Sequence, residues 1–128
     1  MNKIIIDTNI YSNLLWGNFE INEVLRQVFH IGISVISIGE LLSGFRAGNK
    51  INENREELGQ FLDSPRVTIY QVDVDTAEYY SAILNQLKKN GTPIPTNDIW
   101  IAAVAFQQGL PLYTLDKHFS CVEGLLLR

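Results

Sequence analysis

Ile4-Ile5-Ile6-Asp7-Thr8-Asn9 is the stretch from which the fold can be read. Three consecutive β-branched residues suit a buried strand, where branched side chains pack against both faces of a sheet. The triplet Asp7-Thr8-Asn9 is short and polar, the kind of sequence that caps a following helix. Outward from this point the same alternation repeats. Ile21, Val24, Leu25, Val28 and Phe29 have helical spacing, and Ile33–Ile38 is again strand-like, passing into a helix at Glu40-Leu41-Leu42. The polar stretch from Ala47 leads into a charged helix around Arg55, Glu56 and Glu57, with Leu58, Phe61 and Leu62 on its apolar face and Pro65 as its stop.

Val67–Val72 is the next expected strand, and Thr76–Leu87 a helix closed by Lys88, Lys89 and Gly91. After the Thr92-Pro93-Ile94-Pro95 loop, Asn97–Gln108 is a strong helix with Ile99, Ala102, Ala103 and Phe106 along one face and Gly109 at its end. Leu112–Leu115 reads as a strand, Asp116–Phe119 as a turn or short helix, and Leu125–Leu127 as a last edge strand. Alternating strands and helices on short connections predict an α/β domain with a central, mostly parallel sheet of about five strands. With 128 residues and no linker or repeat, residues 1–128 form a single domain.

Composition narrows the chemistry. An apolar fraction of 46% supports a real core and excludes global disorder. Ten Lys and Arg against fourteen Asp and Glu give a net charge of −4, which excludes nucleic-acid binding through a broad basic surface. One cysteine, Cys121, excludes an internal disulfide and a thiolate zinc cage, and fits a reducing compartment. The run ahead of Asp7 is too short for a signal sequence, and no apolar stretch approaches the ~18 residues that span a bilayer. The expectation is a soluble cytoplasmic protein without a membrane partner.

Four acids stand where chemistry belongs in such a sheet, beyond the carboxyl ends of the strands. Asp7 follows the first strand, Glu40 the second, Asp98 opens a helix, and Asp116 follows the Leu112–Leu115 strand. Converging carboxylates repel one another and need protons or cations to offset them. Hard oxygen ligands suit Mg²⁺ or Mn²⁺, which keep waters, accept phosphate oxygens and activate water for phosphoryl chemistry. Each acid also has a plain structural reading. Asp7 suits an N-cap, Glu40 completes a Ser37-x-x-Glu40 capping box, Asp98 complements a helix N-terminus, and Asp116 makes a turn.

The strings around these acids tip the balance: Ile5-Ile6-Asp7-Thr8-Asn9, Ile38-Gly39-Glu40-Leu41-Leu42-Ser43-Gly44, Thr96-Asn97-Asp98-Ile99-Trp100-Ile101-Ala102-Ala103 and Tyr113-Thr114-Leu115-Asp116-Lys117-His118-Phe119. In kind, order and spacing they resemble the PIN-domain ribonucleases, most closely the VapC-type toxins of bacterial toxin–antitoxin pairs. The resemblance covers essentially the whole chain. It implies a PIN-like α/β/α sandwich and a Mg²⁺- or Mn²⁺-dependent endoribonuclease whose catalytic, metal-binding acids are Asp7, Glu40, Asp98 and Asp116. Asn9 and Thr114 are implied as supports that hydrogen-bond a carboxylate or a metal-bound water. Leu115 stands where many members of that family carry a basic residue, a departure that concerns substrate contact.

Implied partners are an RNA substrate, a cognate antitoxin and a second copy of the chain. A four-carboxylate site is primed for a cation, so the antitoxin is expected to present a basic segment to the groove between the Glu40 and Asp98 helices. Trp16, Phe19, Phe45 and Trp100 are the apolar and aromatic residues available for a homodimer. His118 is expected near the rim, and Arg46, Lys50 and Lys117 as phosphate contacts or plain solvated charges. Two other functions remain open. One is a PIN-like module that binds RNA or protein with weak or no catalysis. The other is phosphoryl transfer through an aspartyl phosphate, which wants a second acid where this chain has Asn9.

Overall fold

The computed structural model describes residues 2–128. Four strands, β1 (Lys3–Ile6), β2 (His30–Ser34), β3 (Val67–Tyr70) and β4 (Leu112–Tyr113), form one sheet in the order β3-β2-β1-β4. Every pairing is parallel, with Ile4 opposite Ile31, Ile5 opposite Leu112, and Ile33 opposite Ile69. The helices are α1 (Thr8–Leu15), α2 (Phe19–Gln27), α3 (Val35–Ala47), α4 (Ile51–Leu62), α5 (Val74–Asn90) and α6 (Thr96–Gln108), followed by a 3₁₀ turn at Lys117–Cys121.

The pleat of β1 explains the sandwich. Ile4 and Ile6 face one core with Tyr11, Leu25, Leu41, Phe45 and Leu58, so α1 to α4 cover that side. Ile5 faces the other way, onto Ile83, Leu87, Ile99, Ala103 and Phe119, under α5, α6 and the 3₁₀ turn. All three isoleucines are fully buried, as a strand covered on both faces requires. Gly91 and Gly109 end α5 and α6 in left-handed backbone, at φ 68° and 64°, confirming both expected stops.

The sequence-based boundaries shift at several elements; the strand expected over Val67–Val72, for one, ends at Tyr70. The expected fifth strand is only a bridge from Leu127 to Leu112, carried by Leu112 N–H on Leu126 and Arg128 N–H on Leu112. The strand expected over Ile33–Ile38 ends at Ser34, and α3 begins at Val35. Ser34, not Ser37, is the N-cap, its hydroxyl accepting from Ile36 N–H at 3.0 Å, so the Ser37-x-x-Glu40 capping box does not form. Val35, Ile36 and Ile38 look like strand because they are branched. Burying Leu41 and Phe45 against the core overrides that preference. β4 likewise stops at Tyr113, before Thr114 and Leu115.

Phe45, expected at a subunit interface, is instead a core residue, whereas Trp16 and Phe19 are 78% and 73% exposed. Trp100 stacks on Tyr80 with ring centroids 4.1 Å apart. Among the described residues, no helix is long and apolar enough to cross a membrane.

Candidate active site

The strand order places a reversal beside β1. The chain winds outward from β1 to β2 and β3, then returns to add β4 on the other side of β1. The segments that follow β1 and β4 pack on opposite faces of the sheet, and in an open parallel sheet such a reversal is where a ligand crevice lies, beyond the carboxyl ends of the strands. Asp7 follows β1 directly, and Thr114-Leu115-Asp116 follows β4, so both lie at these strand ends.

Asp7 is 3% exposed and is held at both oxygens. Its Oδ1 accepts from Ile10 N–H at 3.1 Å, capping α1, and its Oδ2 accepts the hydroxyl proton of Thr114. The same Thr114 oxygen accepts from Asp116 N–H at 2.9 Å, so one hydroxyl ties the first acid to the backbone of the fourth. Burial pushes the Asp7 carboxyl above its ordinary range, opposed by the Thr114 and Ile10 hydrogen bonds and reinforced by the charge of Asp116.

Asp98 lies in the first turn of α6, where the helix N-terminus favours a negative charge. Its carboxyl is nonetheless pushed up from 3.8 to about 6, first by burial and then by the charges of Asp116, Glu40 and Asp7. His118 opposes the shift and is the smallest of these influences. The four acids therefore share one electrostatic field, although they come from four separate parts of the sequence.

Glu40 reaches the rim differently from expectation. It sits in the second turn of α3 rather than at a strand end. Two short side chains brace it: Thr8 Oγ1 donates to Oε1 at 2.6 Å, and Asn97 Nδ2 donates to Oε2 at 3.4 Å. Thr8 follows Asp7 and Asn97 precedes Asp98, so each site acid on the helix starts carries a neighbour that steadies Glu40. Sequence reasoning missed both residues; adjacency to a site acid was the available signal. Thr114 donates its hydroxyl proton to the Asp7 carboxylate. Asn9 is exposed, and what reaches Asp7 is its backbone N–H, while its carbonyl accepts from Asn13. Asp116 is partly exposed and caps the 3₁₀ turn, with His118 Nδ1 at 3.1 Å from its Oδ1.

The donors are carboxylate oxygens braced by hydroxyl, amide and backbone groups, a hard set that fits Mg²⁺ or Mn²⁺ and not a closed thiolate or histidine zinc site. Among the described residues, no three His, Cys, Asp or Glu side chains already form a metal cage. A divalent ion here would keep part of its water shell, as Mg²⁺ ordinarily does. Alongside Glu40 runs a groove of about 640 Å³ between α3 and the start of α6, lined by Val35, Ile36, Gly39, Ser43, Gly44 and Asn97. On the other side of Glu40, Thr8, Ser12, Leu15, Trp16 and Asn54 line a smaller hollow of about 270 Å³.

Residues 4–125 match the PIN domain model, so the chain belongs to the PIN domain family. Within it the chain falls among the VapC proteins. It is 34% identical to "Ribonuclease VapC1" of Rickettsia felis over 128 residues, covering 95% of this chain and 92% of that protein. The fold superposes on the crystal structure of VapBC2 from Rickettsia felis bound to a DNA fragment from their promoter, with a TM-score of 0.91, 26% identity, and 98% and 97% of the two chains covered. It also superposes on a toxin–antitoxin complex from Klebsiella pneumoniae, with a TM-score of 0.74, 25% identity and coverage of 96% and 95%.

Proposed function

We propose that this chain is a Mg²⁺- or Mn²⁺-dependent endoribonuclease acting in the cytoplasm as the toxin of a toxin–antitoxin pair. The observation that carries the reading is the gathering of Asp7, Glu40, Asp98 and Asp116 on one rim, where burial first, and then the charges of Asp116, Glu40 and Asp7, raise the Asp98 carboxyl to about 6. Such a field is offset by a divalent cation and is otherwise a standing cost to the fold. Asp7, Glu40, Asp98 and Asp116 would hold the ion. When bound, it would supply an activated water and charge stabilisation for the phosphoryl group.

The chain's own residues set the geometry. Thr114 fixes the Asp7 carboxylate and the Asp116 backbone together, while Thr8 and Asn97 hold Glu40 from two helices. Rigid bracing of this kind lets charge groups act without reorganising as the phosphoryl group gains charge. For control, a basic segment of an antitoxin fits the groove between α3 and α6, where Glu40 would accept an Arg or Lys. The exposed Trp16 and Phe19 give apolar surface to a partner or to a second copy of the chain.

The deciding experiment incubates the chain with a mixed RNA pool in Mg²⁺, Mn²⁺ or EDTA, beside Asp98→Asn. Cleavage that needs the metal and fails in the variant is the expected result. Full cleavage in EDTA removes the metal from the reading. RNA binding without cleavage by the unmodified chain returns the non-catalytic module.

A further inference from the structure

A second hollow adjoins the acids on the side away from Glu40. It has a volume of about 310 Å³, and its walls include Thr114, Leu115, Asp116, Lys117, Leu127 and Arg128. Thr114 and Asp116 thus belong both to this pocket and to the carboxylate rim. Its apolar walls are open to solvent, with Leu115 57% and Leu127 43% exposed. Open leucines grouped beside a polar site mark a contact surface rather than a core. The walls are also firm. Leu127 is pinned by backbone hydrogen bonds on either side of it to Leu112, and Ser120 Oγ donates to the Lys117 carbonyl at 2.7 Å. The Lys117 ammonium makes no ion pair among the described residues.

Apolar walls and a cation, adjoining acids that would hold a divalent ion, call for a ligand with a flat apolar face and an anionic group a short step away. A nucleotide has both. A basic peptide segment does not, since Lys117 would repel it. Resting on the nuclease reading, we propose that this pocket is a nucleotide subsite of the RNA strand: Leu115 and Leu127 take the face of one base next to the scissile phosphate, and Lys117 takes a neighbouring phosphate. Apolar contact reads the presence of a base without reading its hydrogen-bonding edge, so the subsite positions the strand and discriminates weakly among bases. Lys117 supplies a local phosphate contact that the chain's overall acidity does not.

The test measures binding, with cleavage prevented by Asp98→Asn in every protein used. The probes are a short, end-labelled RNA pool of random sequence and an abasic ribose-phosphate chain of the same length, followed by fluorescence anisotropy in Mg²⁺. Leu115→Ala should weaken binding of the RNA pool about fivefold and leave the abasic chain unchanged, with Leu115→Met restoring most of the loss. Lys117→Gln should weaken both probes alike and lower the salt slope by about 0.7, the value for one phosphate on a single strand. Circular dichroism melts should be unchanged, because both side chains are exposed. Equal loss on both probes for Leu115→Ala, unchanged affinities throughout, or no RNA binding by the Asp98→Asn parent would overturn the subsite. Metal-dependent cleavage by the unmodified chain, read in parallel, judges the nuclease reading separately.

Discussion

Replacing Asp98 by Asn keeps the size and polarity of the side chain and removes one charge from the rim. In the folded chain the Asp98 carboxyl sits at about 6 rather than 3.8, so the fold binds its proton more tightly than the unfolded chain does. The stability attached to this group is greatest below its unfolded value. It falls as pH rises from 3.8 to about 6, and stays low above that. Full conversion of that difference gives a ceiling of about 3 kcal/mol. Asp98 is only half-buried, so solvent screening brings the working figure to about 1 kcal/mol.

Without metal, Asp98→Asn should therefore melt about 4 °C above the unmodified chain near neutral pH, with the gap closing towards about pH 4. Saturating Mg²⁺ should reverse the order. It stabilises the four-acid chain by about 2.7 kcal/mol at a hundredfold excess over its dissociation constant, and the variant by less. Cleavage should fall by ~10²-fold or more, as for loss of one electrostatic group at a phosphoryl or acyl centre. Thermal melts across pH in EDTA and in Mg²⁺, beside RNA cleavage rates, give all three readings. A variant no more stable than its parent in EDTA at neutral pH would refute the shared-field argument, as would equal stabilisation of both proteins by Mg²⁺.

Thr114→Val removes the hydroxyl that joins Asp7 to Asp116 while preserving shape; cleavage should drop at least about tenfold, with Thr114→Ser recovering it, and an active valine variant would deny Thr114 its bracing role. Gly32→Ala would set a Cβ 2.6 Å from Tyr70 Cε2, and that ring is tethered through its hydroxyl to His30 Nε2 at 2.7 Å. Urea melts should show a loss of about 1–3 kcal/mol, the range for overpacking. Arg66 Nη1 donates to the Leu25 and Val28 carbonyls at 2.7 and 2.6 Å, closing the end of α2, so Arg66→Ala should cost about 2 kcal/mol in the same assay and leave metal-dependent cleavage intact.

Much of the fold was legible because the strongest signals were local. The β-branched run Ile4–Ile6, the apolar stripe of α6 and the glycines after α5 and α6 each dictate their conformation with little help from the rest of the chain. The start of α3 was not legible, since Val35 and Ile36 favour a strand until Leu41 and Phe45 are buried beneath the helix. The same shift moves Glu40 from a strand end to a helix flank, and so hides Thr8 and Asn97, whose role is visible only once two distant helix starts meet at its oxygens. The acids were readable as a set because their four strings recur in a known order, whereas their supports depend on long-range contacts.

At Asp7 the capping reading and the proposed active-site reading are compatible. One carboxylate oxygen caps α1 through Ile10 while the other takes the Thr114 hydroxyl, so the residue stabilises the helix by the same bonds that aim its charge at the crevice. Those bonds oppose the burial that would otherwise protonate it. An acid held only by capping could be exchanged for Asn or Ser with little consequence for the crevice. An acid held only for chemistry would sit buried with its charge uncompensated, a large cost before any cation arrives. Combining both roles at the reversal point of the sheet would let a chain of 128 residues preorganise a repulsive set of acids at the end of a strand paired on both sides. Asp98, whose carboxyl is raised to about 6 by burial and then by the charges of Asp116, Glu40 and Asp7, is then an acid whose charge should respond to a bound cation.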